Sequence, residues 1–239
     1  MGGNAIDILN VSYGYTPSQD VLKRISVTVE QSTITAILGK SGSGKSTLLQ
    51  VINGMIKPRE GEVKLHGKPV DYQNIHALRL QIGYVVQHFG LFPHMTIAQN
   101  IGILGKISKT SREQIESRIK DLIEMVRLPV AYLKKYPHEL SGGEQQRAGL
   151  CRALLLKPPI LLMDEPFASL DNRTKQGIYQ HLLDIQEKER RTIIIVTHDW
   201  EETAALAGHF FWIEDGRVKV SGDRSELAKL KDNYFSKAE

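Results

Sequence analysis

Three short stretches carry residue types that can do chemistry on a phosphate. The first is Gly39 to Thr47, GKSGSGKST, which fits the spacing G-x-x-x-x-G-K-[ST]. Its glycines, Gly39, Gly42 and Gly44, let the backbone approach an anion closely, so that several N–H groups point at one phosphate. Lys40, Ser41, Ser43 and Thr47 complete the loop, and a helix starting there adds the positive end of its dipole. Lys45 is placed to reach the β/γ-phosphates of a nucleotide, and the Ser46 hydroxyl to bind Mg²⁺. The second stretch is ILLMDEP, Ile160 to Pro166. Asp164 has the position and charge of a Mg²⁺ ligand, and Glu165, one residue on, can orient or deprotonate a water attacking a γ-phosphate. The third is LSGGEQQR, Leu140 to Arg147, where Ser141, Gly142 and Gly143 precede a helix, EQQRAGLCRALLL. By the same physics it is a second anion-binding helix start. Either the chain binds two anions, or the second site serves a nucleotide held by a partner.

The surrounding elements are those that such residues need. ITAIL, Ile34 to Leu38, reads as a short buried strand, and TLLQVIN, Thr47 to Asn53, as a helix with Leu48, Leu49 and Ile52 on its apolar side. IGYVVQ, Ile82 to Gln87, is a strand whose last residue falls at the carboxyl end, where open parallel sheets bind ligands. TIIIVTHD, Thr192 to Asp199, is a buried strand ending at His198, which is placed for a polar contact to the γ-phosphate. SLD, Ser169 to Asp171, turns into a helix with Ile178, Leu182, Leu183 and Ile185 on one face.

At the N-terminus, IDILNVSY and VLKRISVTVE alternate like half-buried strands around the loop YGYTPSQD. Tyr13 and Tyr15, at or near that loop, suit stacking on an adenine and equally suit packing on the sheet. GEVKLHGKPV reads as a hairpin turning at His66-Gly67. HFGLFPHMTIAQNIG, rich in Gly, Pro, Phe and Met, reads as an exposed docking loop, with His88 and His94 as surface or turn residues. Ser111 to Arg127 is an amphipathic helix opened by an S-x-x-Q capping box, with Ile115, Ile119, Leu122, Ile123 and Val126 as packing positions. WEETAALAG is a helix, FFWIEDGRVKVSG a hairpin turning at Asp215-Gly216, and RSELAKLKDNYFSKAE a terminal helix after which no further domain is expected.

Composition narrows the functional classes. The 239 residues are 41% hydrophobic and 24% charged, as in an ordinary globular protein. A net charge of +4, with no dense Lys/Arg run, does not argue for a nucleic-acid partner. Cys151 is the only cysteine, so no internal disulfide forms, and its apolar surroundings read as core. MGGNAIDILN lacks the basic and apolar regions of a signal peptide, and no stretch approaches ~18 uninterrupted apolar residues.

With these motifs in this order, the chain resembles the nucleotide-binding subunit of an ATP-binding cassette (ABC) transporter over nearly its whole length. LSGGEQQR is the most specific of them. The resemblance implies one α/β domain, residues 1–239, with a P-loop core and a mixed sheet. It also implies an antiparallel β-subdomain from the N-terminal strands and a helical subdomain inserted at 88–150 that carries the signature. It implies ATP and Mg²⁺ as ligands and ATP hydrolysis coupled to transport as the activity. Residue by residue, it assigns Lys45 to the β/γ-phosphates, Ser46, Asp164 and Gln87 to Mg²⁺, Gln87 to the attacking water, Glu165 to the catalytic base and His198 to the γ-phosphate. It favours Tyr15 over Tyr13 for adenine and makes Asp171 the D-loop aspartate. Two cassettes would face each other, so that Ser141, Gly142, Gly143 and Gln145 act in trans on a nucleotide held by the other subunit's Gly39–Thr47 loop.

The implied partners are therefore a second nucleotide-binding subunit, in a homodimer or with a related cassette, and transmembrane permease subunits. A substrate-binding protein joins them in an importer, and no nucleic acid is involved. The implied location is the cytoplasmic face of the cell membrane. GYVVQHFGLFPHMTIAQNI and DEPFASLDNRT look most like importers of osmoprotectants such as glycine betaine and choline, or of polar amino acids. The alternatives are an exporter or lipid-extraction ATPase, and a soluble ABC ATPase acting on DNA or ribosomes.

Overall fold

The alternating N-terminal segments pair as expected, with one interruption. In a computed structural model that describes residues 3–87 and 90–227, β1 (Asn4–Tyr13) runs antiparallel to β2 (Leu22–Glu30). Ile6, Ile8 and Val11 are all buried, although strict alternation would pair Ile8 with position 10. The register shifts between Ile8 and Val11, where Asn10 takes a positive φ of 50° and its N–H donates to Ser26 Oγ. This bulge leaves both Leu9 and Asn10 facing outward and brings Val11 back to the buried side.

ITAIL forms β3 (Ile34–Leu38), and Gly44 at φ 101° leads into α1 (Lys45–Ile52). β4 (Glu60–Leu65) and β5 (Lys68–Pro69) make the expected hairpin, with positive φ at both His66 and Gly67. These four outer strands form one antiparallel sheet in the order β2-β1-β4-β5. After the short α2 (Ile75–Arg79), β6 spans Ile82–Val85, so Gln87 lies two residues past the strand rather than closing it.

The stretch expected to be a docking loop is loop only in part. Ile97–Ile107 is a helix, α3, opened by a capping box between Thr96 and Gln99. Gly102 and Gly105 lie inside it, and a Cβ at Gly105 would come within 2.6 Å of Ile115. They let α3 approach α4 (Arg112–Met125) closely. α4 has the expected Ser111–Gln114 capping box, and Ile115, Ile119, Leu122 and Ile123 are buried. α5 (Gly142–Leu154) begins one residue after Ser141, so Gly142 and Gly143 form its first turn rather than a loop ahead of it.

The remaining elements alternate strand and helix: β7 (Ile160–Asp164), α6 (Asn172–Glu189), β8 (Thr192–Val196) and α7 (Trp200–Leu206). β9 (His209–Glu214) and β10 (Arg217–Asp223) turn at Asp215-Gly216, both at positive φ. The start of the expected terminal helix, Arg224–Glu226, is a 3-10 turn; residues 228–239 of that segment and His88 lie outside the described residues.

The central sheet has the order β10-β9-β3-β8-β7-β6, parallel except for β10. Every residue of β3, β7 and β8 is buried, which explains their unbroken apolar runs. Alternate residues serve two cores. Leu161, Met163, Ile193 and Ile195 pack with the helical residues Ile101, Ile119, Leu122 and Leu182. Ile160, Leu162, Ile194 and Val196 pack with Leu48, Leu49 and Ile52 of α1 and with the outer sheet's Ile6, Ile8 and Ile25. No helix among the described residues is long and apolar enough to cross a membrane.

Candidate functional site

β3, β8 and β7 are adjacent and parallel, so their carboxyl ends deliver Gly39, Thr197 and Glu165 to one edge of the sheet. The loop after β3 closes tightly. A Cβ at Gly39 would lie 2.1 Å from Ile213 O, and one at Gly44 would lie 2.9 Å from Leu22 Cδ2; both residues have positive φ. Gly42, at φ 76°, has nothing within 4 Å of its Cβ position, so the loop's outer side is left clear.

Lys45 Nζ donates to Gly39 O and Lys40 O, each at 2.8 Å, and lies across the loop it follows. Burial lowers its pKa, while the charges of Glu165 and then Asp164 oppose that shift. Ser43 Oγ is buried in the loop with no hydrogen-bond partner among the described residues.

Across the sheet, Ser46 Oγ donates to Asp164 Oδ1 at 3.1 Å. Two cis ligands of an octahedral Mg²⁺ at about 2.1 Å stand about 3.0 Å apart. The spacing of these two oxygens therefore fits a shared Mg²⁺, and both are hard ligands.

Glu165 has a positive φ of 45°, a conformation that costs about 1–2 kcal/mol in a non-glycine residue. Its backbone is held from two sides: its N–H donates to Val196 O at 2.9 Å, and its carbonyl accepts from Gln146 Nε2 at 3.2 Å. Its carboxylate accepts from Gln87 Nε2 at 3.1 Å and lies 3.5 Å from His198 Nδ1. A cavity of about 340 Å³ is lined by Tyr15, Ser41, Gly42, Gly44, Lys45, Ser46, Thr47, Gln87 and Glu165, with Val21. Tyr15 is mostly exposed; its hydroxyl reaches Thr47 Oγ1 at 3.2 Å and its ring meets Tyr13 edge-on.

The signature residues are placed elsewhere. Ser141, Gly142, Gly143 and Gln145 do not line this cavity. Ser141 caps α5, its Oγ accepting from Glu144 N–H while its own N–H donates to Glu144 Oε2 at 2.8 Å. Gly143 sits against Ser169, where a Cβ would be 2.9 Å from the carbonyl oxygen, so α5 abuts the segment leading to Asp171. Asp171 caps α6, accepting from Thr174 N–H at 3.0 Å and Thr174 Oγ1 at 2.6 Å, and these bonds hold its carboxyl below the usual range.

Two contacts escaped the sequence reading. Gln145, which the resemblance assigns to the signature, donates back to Leu140 O, whereas the buried Gln146 reaches Glu165. Helical spacing was the available signal, since Gln146 stands one turn before the buried Leu150. The second is a network of Lys175, Thr197 and Glu202 beside His198.

A phosphate-binding loop after a central parallel strand, with paired carboxylates two strands away, defines a P-loop nucleotide-binding domain. The chain belongs to the ABC transporter family, whose model matches residues 22–168. It is 37% identical over 225 residues to the glycine betaine/carnitine/choline transport ATP-binding protein OpuCA of Bacillus subtilis, covering 94% of this chain and 59% of that one. It is 38% identical over 218 residues to the glycine betaine uptake system ATP-binding protein YehX of Escherichia coli, covering 91% and 71%. The chain thus spans about three fifths of the length of the first of these relatives. Among solved structures, the ATP-binding cassette MJ0796, a dimer in a post-hydrolysis state with ADP and Pi, superposes with a TM-score of 0.86 at 30% identity, covering 92% of this chain and 98% of that one.

Proposed function

We propose that the chain is the ATP-hydrolysing subunit of an ABC importer, working as a dimer at the cytoplasmic face of a membrane with separate permease subunits. The observation that carries this reading is the convergence of Lys45, Ser46 and Glu165 on one cavity, with Asp164 bonded to Ser46. The loop N–H groups and Lys45 take the phosphates, and the orphaned Ser43 hydroxyl gains an acceptor from them. Ser46 and Asp164 would hold Mg²⁺, with Gln87 as a further ligand from the same cavity. When bound, the ion neutralises charge on the transferring phosphoryl group. Glu165 accepts the proton of the attacking water, Gln87 orients that water, and His198 contacts the γ-phosphate. Tyr15, at the cavity rim, stacks on the adenine.

Ser141, Gly142 and Gly143 lie outside their own chain's cavity, which supports their serving the partner's nucleotide. The cargo is an osmoprotectant of the glycine betaine and choline type or a polar amino acid, a reading supported by the relatives named above. An importer also needs a substrate-binding protein.

The test is Mg²⁺-dependent ATP hydrolysis by the purified chain as a function of protein concentration. The rate per chain rises as dimers form. A rate per chain that does not change through dimerisation, or no hydrolysis at all, refutes the mechanism. For the cargo, cells lacking the chain lose uptake of labelled glycine betaine, choline or an amino acid; undiminished uptake with loss of an export activity instead selects an exporter.

A further inference from the structure

His198 makes one side-chain contact that bears on the chemistry, 3.5 Å to Glu165, and about two thirds of its side chain is exposed, at 68%. Its position is therefore set by its neighbours in the chain. Both neighbours are tied to Glu202, Thr197 through its buried carboxylate and Asp199 through its main-chain N–H. Thr197 Oγ1 donates to Glu202 Oε2 at 2.6 Å and accepts from Asp199 N–H at 3.0 Å. Asp199 Oδ1 in turn accepts from the N–H groups of Glu201 and Glu202 at 2.7 and 3.3 Å. Thr197 N–H also donates to Ile37 O, which anchors the turn to the phosphate-loop strand.

Glu202 is only 4% exposed, so its charge needs a partner. That partner comes from another element. Lys175 Nζ donates to Glu202 Oε1 at 2.8 Å and lies 3.6 Å from Asp199 Oδ2. Lys175 stands one helical turn after Asp171, and its N–H donates to Asp171 O at 2.9 Å. Lys175, Glu202, Thr197, His198 and Glu165 line one small cavity of about 210 Å³ behind the catalytic carboxylate.

We propose that Lys175 is a positioning residue: through Glu202 it holds the Thr197–Asp199 turn, and with it His198, at the reacting end of the nucleotide site, and it ties that turn to the Asp171 end of α6. The inference rests on the proposed ATPase reading. Asp171 lies just after the Ser169 segment on which the signature helix packs, so a shift of that segment when a partner docks reaches His198 through one ion pair. A neutral residue at 175 leaves Glu202 buried and uncompensated, and the turn opens toward water.

The experiment compares Lys175→Met, Lys175→Arg and the double variant Lys175→Met/Glu202→Gln in the full chain. It measures steady-state ATP hydrolysis, nucleotide affinity and thermal stability. Lys175→Met is expected to lower kcat by about 10- to 100-fold, the scale on which misplacing a reacting group acts, and to leave nucleotide affinity unchanged within about threefold. Lys175→Arg keeps the charge and is expected to restore most of the rate. The double variant, with no buried charge left unpaired, is expected to regain thermal stability but not kcat.

The proposal is overturned if Lys175→Met hydrolyses at the wild-type rate. It is also overturned if Lys175→Arg fares no better than Lys175→Met, if kcat and affinity fall together, or if the double variant recovers kcat along with stability. Absence of hydrolysis in the wild-type chain overturns the ATPase reading itself, and this inference with it. An active wild type with indifferent Lys175 variants overturns this inference alone.

Discussion

Replacing Glu165 by Gln removes a charge while changing little of the local structure. The strained backbone at position 165 is held by Val196 O and Gln146 Nε2 through main-chain atoms, which the substitution leaves in place. The new amide oxygen still accepts from Gln87. Folding stability is therefore expected to hold within about 0.5 kcal/mol, the usual range away from packing defects. What disappears is the proton acceptor. General-base catalysis is worth about 100- to 10,000-fold, or about 2.7–5.4 kcal/mol of barrier at 1.36 kcal/mol per decade. Lys45 loses the larger of the two carboxylate charges that counter its desolvation, but Asp164 remains as the second. ATP affinity is held or raised, because one negative charge beside the triphosphate is gone. With chemistry stopped, the ATP-bound dimer accumulates. The assay is single-turnover hydrolysis, with size-exclusion chromatography in the presence of ATP and Mg²⁺. A Glu165→Gln variant that turns over within about threefold of wild type, far inside the range for a lost base, refutes the assignment.

Ser141→Arg places a long cation at the start of α5, outside the chain's own cavity, so hydrolysis is expected to fall by more than about tenfold while the monomer's ATP affinity stays the same. Loss of monomer affinity, measured by titration below the dimerisation range, counts against a role in trans. Asn100 is fully buried, donates to Phe92 O, Met95 O and Thr96 O and accepts from Phe92 N–H, so Asn100→Ala is expected to cost about 2–3 kcal/mol in urea unfolding by orphaning those groups. A loss below about 0.5 kcal/mol shows that the loop does not depend on it. Burial holds the Cys151 thiol above its ordinary range, so a thiol reagent is expected to label the native chain far more slowly than the unfolded one. Because the folded pKa is the raised one, this contribution to stability is complete below the unfolded thiol's pKa of about 8.5 and declines as the pH rises above it. Equal labelling rates in the native and urea-unfolded chains refute the burial argument.

Local patterns revealed the strands and most of the helices, because the signal and its structural cause lie within a few residues of each other. The apolar runs of β3, β7 and β8 reflect burial on both faces, and the Ser111 capping box is a contact between residues three apart. α3 was hidden because its first half lies in a stretch whose Gly, Pro, Phe and Met content read as an exposed loop, and Gly102 and Gly105 stand inside the helix. Their purpose is to admit Ile115 of another helix, a reason that no window on α3 contains. The Thr96–Gln99 capping box did lie in plain view, and it outweighed the glycines. The contact of Gln146 with Glu165 was hidden for a similar reason, since which of two adjacent glutamines faces Glu165 depends on where α5 starts, and α5 starts at Gly142 rather than after it.

The site divides along the same line. Lys45 and Ser46 stand within one short motif, whereas the surroundings of Glu165 are assembled from Gln87, Gln146 and His198 on three separate segments. Motif spacing names Gln87 and His198 but not Gln146, and only the strand order brings them together, because β8 lies between β3 and β7 and so delivers His198 between the Gly39–Thr47 loop and the Glu165 carboxylate. The Lys175–Glu202 pair is further still from sequence view. Each residue alone reads as a solvated helix charge, and only their burial against each other shows that the turn carrying His198 is fastened to the helix that Asp171 begins. On the proposed mechanism, the chemistry at Glu165 thus depends on contacts that reach the Ser169–Asp171 segment on which α5 packs, the side from which a partner's nucleotide would be sensed.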